Sequence, residues 1–322
     1  MSKVLVTGAA GFIASQVCEK LLQEGLEVVG IDNINDYYDI RLKNYRLEKL
    51  NKFKNFQFHK LDIEDLAGVK VLFEKNKFKT VYNLAARAGV RGSVENPFIY
   101  VSTNTMGSLN LLDQIKSGGV KYVLASTSSL YAGQKLPFRE DLPVNSPISP
   151  YAASKKGAEM MAYSYHFLYG IDVSVVRYFT VYGPAGRPDM SIFRFIQWID
   201  KGEKMEILGD GAQSRDFTYV SDIAAGTIKA AKNVGYEVIN LGGGKKPISI
   251  NDVIKKIEEA LGKKATMDNH AFHKADLKET WADIDKAKKL IDWEPVVSFE
   301  EGIAKTIDWY KNNLEMARNI KL

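Results

Sequence analysis

Cysteine, histidine and uninterrupted apolar sequence are all scarce in this chain, and each scarcity excludes something. Cys18 is the single cysteine among 322 residues, so no internal disulfide can form and a reducing compartment, the cytoplasm, is expected. Four histidines (His59, His166, His270 and His273) show no metal-ligand spacing, and no metal is expected. No apolar run approaches the ~20 residues that span a bilayer, and Met1-Ser2-Lys3 leads straight into a strand-like VLV with no room for a signal peptide. No membrane partner is therefore expected. Repeats and low-complexity tracts are missing, and 45% hydrophobic with 26% charged residues is ordinary globular composition, which excludes disordered, collagen-like and coiled-coil chains. Neither sign of charge dominates: 44 Lys+Arg against 39 Asp+Glu give a formal +5, scattered along the chain. That mild excess suits an anionic small ligand as well as nucleic acid.

What is present is a rhythm. Strand-length apolar runs at 3–6, 27–31, 56–60, 80–83, 122–125 and 172–177 alternate with helix-length amphipathic segments. Right-handed crossovers turn that alternation into an α/β fold, a doubly wound parallel sheet. After Tyr178, Gly and Pro cluster in TVYGPAGRPDM and the alternation loosens. Residues 1–178 are therefore expected to form a dinucleotide-binding domain and 179–322 a smaller α/β domain that grips a ligand. A helix at 221–232 and a strand at 237–241 are candidates to return to the first domain. Residues 33–55, charge-rich with Tyr and Leu near helical spacing, read as a surface helical excursion.

Gly8-Ala9-Ala10-Gly11-Phe12-Ile13-Ala14 follows the first strand and opens the first helix, the context that the dinucleotide fingerprint of a Rossmann sheet requires. The first glycine permits a tight turn, and the second lets the backbone approach a pyrophosphate at the positive end of the helix dipole. Ala14 is small enough for helix–sheet packing. Asp32 ends the second strand, where its carboxylate can accept from both adenosine ribose hydroxyls and would repel a 2′-phosphate, so NAD is favoured over NADP. Asp62-Ile63, just after the third strand, is a candidate contact to the adenine edge.

Tyr151 and Lys155 stand four residues apart, on one face of a helix. An ammonium beside a phenol favours the phenolate and brings the tyrosine toward the range of a general base. Ser126-Thr127-Ser128-Ser129-Leu130-Tyr131 runs off the fifth strand at the carboxyl edge of the sheet, where open α/β folds bind their ligands.

Together the stretches GAAGFIA, NLAARAGVR, STSSLY, YAASK, RYFTVYGP, RDFTYVSD and ETWADIDKAKKLIDW resemble the extended short-chain dehydrogenase/reductase family, and within it the nucleotide-sugar 4-epimerases. The resemblance implies that Tyr151 is the base, that Lys155 tunes it and anchors the cofactor ribose, and that Thr127 hydrogen-bonds the sugar O4. It implies a NAD site in which Phe12, Ile13, Asn33, Leu84, Ala85, Ala86, Asn104, Ser126 and Tyr178 join Gly8, Gly11, Asp32, Asp62, Ile63, Tyr151 and Lys155. Dehydratases of this kind carry an Asp-Glu pair after the threonine, and UDP-glucuronate decarboxylases a Glu at the second position. Here Ser128 and Ser129 stand there, so both reactions lose their expected carboxyl catalyst. What remains is return of a hydride to the opposite face of C4, an epimerisation through a 4-keto sugar in which NAD ends as it began.

DNINDYYDIRLKNYRL and RYFTVYGPAGRPDM are similar to the versions in UDP-glucuronate 4-epimerases, which implies UDP-glucuronate and UDP-galacturonate as the interconverted pair. A ketone at C4 makes the C6 carboxylate a β-keto acid, and Thr127, Ser128, Ser129 and Thr180 offer neutral donors to hold it. Arg187 is the candidate cation for sugar or diphosphate, and Arg87 for pyrophosphate or substrate carboxylate. The family pattern implies Arg215 as the phosphate contact and Asp276 as the uridine-ribose contact, although His273 and Ala275 depart from it; Asp216 is expected to orient its loop. One alternative is a neutral-sugar 4-epimerase acting on UDP-glucose or UDP-N-acetylglucosamine. Another is a non-catalytic NAD-binding or RNA-binding protein, supported only by basic residues interleaved with aromatics in 37–58, which an amphipathic helix explains better; no nucleic acid partner is expected. Apolar faces on helices at 151–168 and about 100–115 match those that relatives pair into a four-helix bundle, which implies a homodimer.

Overall fold

The structure, a computed structural model, describes residues 2–272 and 277–322. Seven strands form one parallel sheet: β1 (Lys3–Thr7), β2 (Glu27–Asp32), β3 (Phe56–Lys60), β4 (Thr80–Asn83), β5 (Lys121–Thr127), β6 (Val173–Tyr178) and β7 (Tyr236–Leu241). Their spatial order is β7-β6-β5-β4-β1-β2-β3. Val4 on β1 stands opposite Val28 on β2 and Thr80 on β4, so the chain order reverses on the two sides of β1. In such a sheet the crevice opens at the carboxyl ends of the strands beside that reversal. The doubly wound sheet expected from the sequence is the fold observed, with strand ends shifted by no more than two residues.

Successive residues of each strand face opposite sides. Val4, Val6 and Val28 therefore enter one core with Val17, Leu21, Val123, Val176 and Ile239. Leu5, Val29 and Ile31 enter the other, with Leu111, Leu112, Leu124 and Val175. Helices cover both faces, which is why the inner strands read as unbroken apolar runs. A third core joins Phe193 and Ile196 of the Ser191–Lys201 helix to Val253 and Ile257 of Ile250–Leu261 and Ile303 and Tyr310 of Phe299–Asn312.

Two elements depart from expectation. The helix Ile40–Leu50 forms at the surface as expected, with the Asp39 side chain accepting from Arg41 N and Arg41, Asn44, Glu48 and Lys49 exposed, but its other face is enclosed and carries charge. Leu42 enters the third core, and Lys43 and Arg46 are only 5% and 4% exposed. Charge-rich sequence is ordinarily a solvated face; here the cations find polar partners inside. The helix expected over about 100–115 starts earlier, at Pro97–Tyr100, and widens into a π turn over Val101–Met106 before Gly107–Gln114. No helix among the described residues is long and apolar enough to cross a membrane.

Candidate active site

The turn after β1 is packed hard against the end of β4. Gly8 has φ +69, and a Cβ there would lie 2.9 Å from the Ala85 main chain; at Gly11 it would lie 2.8 Å from the Gly8 carbonyl oxygen. Only glycine fits both places. Thr7 fixes the approach: its Oγ1 accepts from Leu84 N at 3.0 Å and Ala85 N at 2.9 Å and donates to Asn83 Oδ1 at 2.8 Å. Asn83 is buried, and its amide also donates to Ser108 and Tyr122, so it braces the sheet. The Phe12–Gln23 helix, which begins with Phe12 and Ile13, starts directly after Gly11 and leaves its first N–H groups pointing into the turn.

Along the same edge, Asp32 closes β2, buried, with Oδ1 accepting from Ile34 N at 2.8 Å and lying 3.6 Å from Lys43 Nζ. Asn33 donates to Asp62 Oδ2 at 2.6 Å, and Ile63 packs beside Gly107. After β4, Leu84, Ala85 and Ala86 lead to Arg87, whose N–H donates to Asn104 Oδ1 at 2.9 Å; Asn104 in turn donates to Arg87 O and to Ser154 Oγ. A cradle that any Cβ would fill, a helix N-terminus and a buried acid at the tip of β2 fit a dinucleotide.

Thr127 ends β5, and its Oγ1 accepts from Ser129 N at 3.1 Å as the chain turns through Ser128–Tyr131. Its hydroxyl also acts on Tyr151, holding that phenol's pKa down. Tyr151 enters at the start of the Pro150–Tyr169 helix, which is held by Ser149 Oγ accepting from Ala152 N and by Pro150 at its first position. Its ring meets Tyr100 edge-on, with centroids 6.2 Å apart. Burial pushes the Tyr151 phenol above the usual tyrosine range, while the Thr127 hydroxyl and the Arg187 charge pull it back down. Desolvation therefore decides the direction of the Tyr151 shift, not the Lys155 ammonium that the i, i+4 spacing brings onto the same face.

Lys155 is buried, which pushes its ammonium down to about 8, and the Glu159 carboxylate one turn along holds it up. Glu159 is itself buried and accepts from Ser126 Oγ at 2.7 Å and from Arg177 Nε and Nη2 at 2.9 and 2.8 Å. Burial opposes its charge, but the Arg177 guanidinium outweighs that and keeps the carboxyl below the usual range. Glu159 belongs to no motif, although its place four residues after Lys155 sets both on one helix face.

Thr180 opens the short strand Thr180–Tyr182, which pairs with Phe217–Tyr219. A cleft lined by Phe12, Thr180, Gly183, Gly186, Arg187 and Met190 joins the dinucleotide turn to the Arg187 loop. Burial works against the Arg187 charge, but its fork-to-fork pairing with Asp189 holds the guanidinium firmly protonated. Arg187 and Arg87 lie over the same ring, Tyr37, at 5.8 and 5.4 Å from its centroid, and the Tyr37 hydroxyl donates to Ala88 O. Tyr37 too carries no motif, inside a segment that reads as a surface helical excursion.

The remaining candidates are spread more widely. Tyr178 ends β6 with its hydroxyl 2.8 Å from Thr227 Oγ1. Arg215 donates to Ser214 O and Lys278 O. Asp216 accepts from Gly243 N at 2.7 Å and Ala282 N at 2.8 Å, which fastens its loop. His273 and Asp276 lie outside the described residues. Among the described residues, no three His, Cys, Asp or Glu side chains are grouped to hold a metal ion.

Comparison with known proteins agrees with this geometry. The sequence profile of the family described as GDP-mannose 4,6 dehydratase matches residues 5–306. A UDP-glucuronate 4-epimerase of Thermodesulfobacterium geofontis is 59% identical over 323 residues, spanning 100% of both chains. The crystal structure of UDP-glucuronic acid 4-epimerase from Bacillus cereus, in complex with UDP-glucuronic acid and NAD, superposes with a TM-score of 0.91 at 39% identity, covering 96% of this chain and 99% of that one. UDP-glucose 4-epimerase of Thermotoga maritima, with UDP-glucose, reaches 0.88 at 33% identity, over 97% of this chain and 99% of that one. Backbone shape alone therefore separates the two sugars poorly. On the profile match and the full-length identity, the chain belongs to the GDP-mannose 4,6 dehydratase family of nucleotide-sugar enzymes, the extended short-chain dehydrogenase/reductases that its motifs resemble.

Proposed function

We propose that this protein is a UDP-glucuronate 4-epimerase, interconverting UDP-glucuronate and UDP-galacturonate with NAD held through turnover. The observation that carries this is the 59% identity, end to end, with a UDP-glucuronate 4-epimerase. The site supports it. Gly8, Gly11 and the N-terminus of the following helix take the pyrophosphate; Asp32 takes the adenosine ribose; Asn33, Asp62 and Ile63 flank the adenine. Phe12, Ile13, Leu84, Ala85, Ala86, Asn104, Ser126 and Tyr178 complete the cofactor's surroundings. Bound there, NAD supplies a reversible hydride acceptor for sugar C4.

Tyr151 takes the proton of the C4 hydroxyl as the 4-keto sugar forms and returns it once the sugar has presented its other face. Thr127, whose hydroxyl holds the pKa of the Tyr151 phenol down, shares O4 and steadies the phenolate. Lys155 supplies positive charge to the phenolate and anchors the cofactor ribose. Ser128, Ser129 and Thr180 grip the sugar carboxylate without offering a carboxyl acid at C5, and Arg187, with Arg87 across Tyr37, supplies charge to the anionic sugar. Arg215 and Asp276 serve the diphosphate and uridine ribose.

We further divide the chain at Tyr178 into a cofactor part and a sugar-nucleotide part, with residues 221–241 returning to the first through β7. A homodimer is supported by Phe98, Phe167 and Leu168, which are 82%, 78% and 65% exposed on neighbouring helices. Cys18, the single cysteine and buried, suits the cytoplasm.

Purified protein without added NAD is incubated with UDP-glucuronate or UDP-glucose and the sugars are followed by proton NMR. UDP-galacturonate from UDP-glucuronate alone is expected. Conversion of UDP-glucose alone would move the protein to the neutral sugars, and a pentose product would mean that Ser128 and Ser129 do not protect the carboxylate.

A further inference from the structure

We propose that Arg46 is a positioning residue for this reaction: it locks the loop that carries Arg187 to the dinucleotide turn, so that cofactor and sugar sites share one fixed register. The inference rests on the assignment of NAD and an acidic UDP-sugar to this crevice. Arg46 lies on the inner face of the Ile40–Leu50 helix, 4% exposed. Its Nη1 donates to Ala10 O at 2.9 Å, within the Gly8–Gly11 turn, and to Tyr38 OH at 2.7 Å. On the other side Nε and Nη2 both donate to Ala185 O, at 3.2 and 2.6 Å, and Nη2 reaches Gly186 O at 3.4 Å. Arg187 follows directly.

A buried guanidinium is ordinarily matched by a carboxylate. Arg46 makes no such pair among the described residues; its hydrogen bonds go to main-chain carbonyls of two loops and one phenol. That arrangement is a brace, because a planar fork can hold two backbones at a set separation and a single ammonium cannot. Its grip falls where the loop needs one: Ala185 has φ +51, a left-handed conformation that a non-glycine residue keeps only when its surroundings impose it. One turn earlier on the same face, Lys43 approaches Asp32 at 3.6 Å, so the helix braces both the ribose acid and the Arg187 loop.

The test compares wild type, Arg46→Lys, Arg46→Met, Arg187→Ala and the double variant Arg46→Lys with Arg187→Ala. For Arg46→Met, KM for UDP-glucuronate is expected to rise about tenfold or more with a smaller change in kcat, because misplacement of a binding group is felt in binding. Bound NAD after gel filtration is expected to stay at the wild-type level. Arg46→Lys keeps a buried cation, guards against misfolding, and should fall between the two. In the Arg187→Ala background, the Arg46→Lys substitution is expected to add little further loss, since its effect passes through that loop. Unchanged KM, multiplicative losses in the double variant, or NAD lost in step with activity would each overturn the proposal. Should wild type fail to convert UDP-glucuronate, the functional assignment falls, and calorimetric binding of UDP-glucuronate to the same proteins decides on Arg46: weaker binding without NAD loss sustains it, unchanged binding removes it.

Discussion

Arg177 holds Glu159 through two parallel hydrogen bonds, Nε to Oε1 at 2.9 Å and Nη2 to Oε2 at 2.8 Å, with both side chains enclosed. Arg177 also reaches Tyr131 OH at 2.8 Å, and Tyr131 donates to Asn240 Oδ1 at 2.8 Å. The network therefore ties the helix that carries Tyr151 and Lys155 to β5, β6 and β7. Removing one charge of a buried pair costs more than removing both. Glu159→Gln is expected to lower the stability to urea unfolding by about 3–5 kcal/mol. Adding Arg177→Met should recover part of the loss; a single variant as stable as wild type would show that the pair is dispensable.

In the proposed mechanism Lys155 sets a pH limit on turnover. Burial brings its ammonium down to about 8, with Glu159 holding it up. The positive charge that the proposed mechanism asks of Lys155 is present below that pH and lost above it. In the NAD-loaded protein, kcat/KM is expected to fall as pH rises through about 8. Stability should not fall with it: between about 8 and the ordinary lysine value the unfolded chain binds the extra proton, so this group's own contribution to stability rises with pH. A flat kcat/KM across that window, or a fall matched by unfolding, would take Lys155 out of the profile.

How much of this was legible depended on where each residue sits in the chain. Gly8, Asp32, Asp62, Thr127 and Tyr178 follow or end strands whose apolar runs are plain, and a parallel sheet brings all such ends to one edge. Sequence order alone thus gathers them. Arg46 and Tyr37 were hidden because a charged, aromatic stretch looks solvated until tertiary packing turns one of its faces inward. The direction of the Tyr151 shift was hidden for a related reason: spacing shows the neighbouring ammonium, but desolvation depends on what closes over the hydroxyl. Glu159 was readable from its spacing to Lys155, whereas its Arg177 partner comes from another element.

Tyr151→Phe separates chemistry from binding. The ring keeps its edge contact with Tyr100 at 6.2 Å, so packing changes little, while the phenol hydroxyl disappears. Loss of a general base typically costs about 10²–10⁴ in rate, and kcat for UDP-glucuronate is expected to fall by that order. NAD content and UDP-glucuronate affinity, measured by absorbance and calorimetry, should stay within a few fold of wild type. Turnover at the wild-type rate would remove Tyr151 from the base role.

Met160, Tyr163 and Phe167 are exposed at spacings of three and four along the Pro150–Tyr169 helix, one apolar stripe facing away from the core. Phe98 and Met106 extend it on the neighbouring helical segment, which Thr105 Oγ1 ties down by donating to Ser154 O at 2.9 Å. A two-fold pairing of such a face buries each residue twice, so one substitution acts on both sides of the interface. In the proposed homodimer, Phe167→Asp would remove two aromatic rings from the interface and set two carboxylates into the same apolar contact. Light scattering during gel filtration is expected to give a dimer mass for wild type and a monomer mass for the variant, with unfolding checked by circular dichroism. A variant that remains dimeric at micromolar concentration would place the interface elsewhere on the molecule.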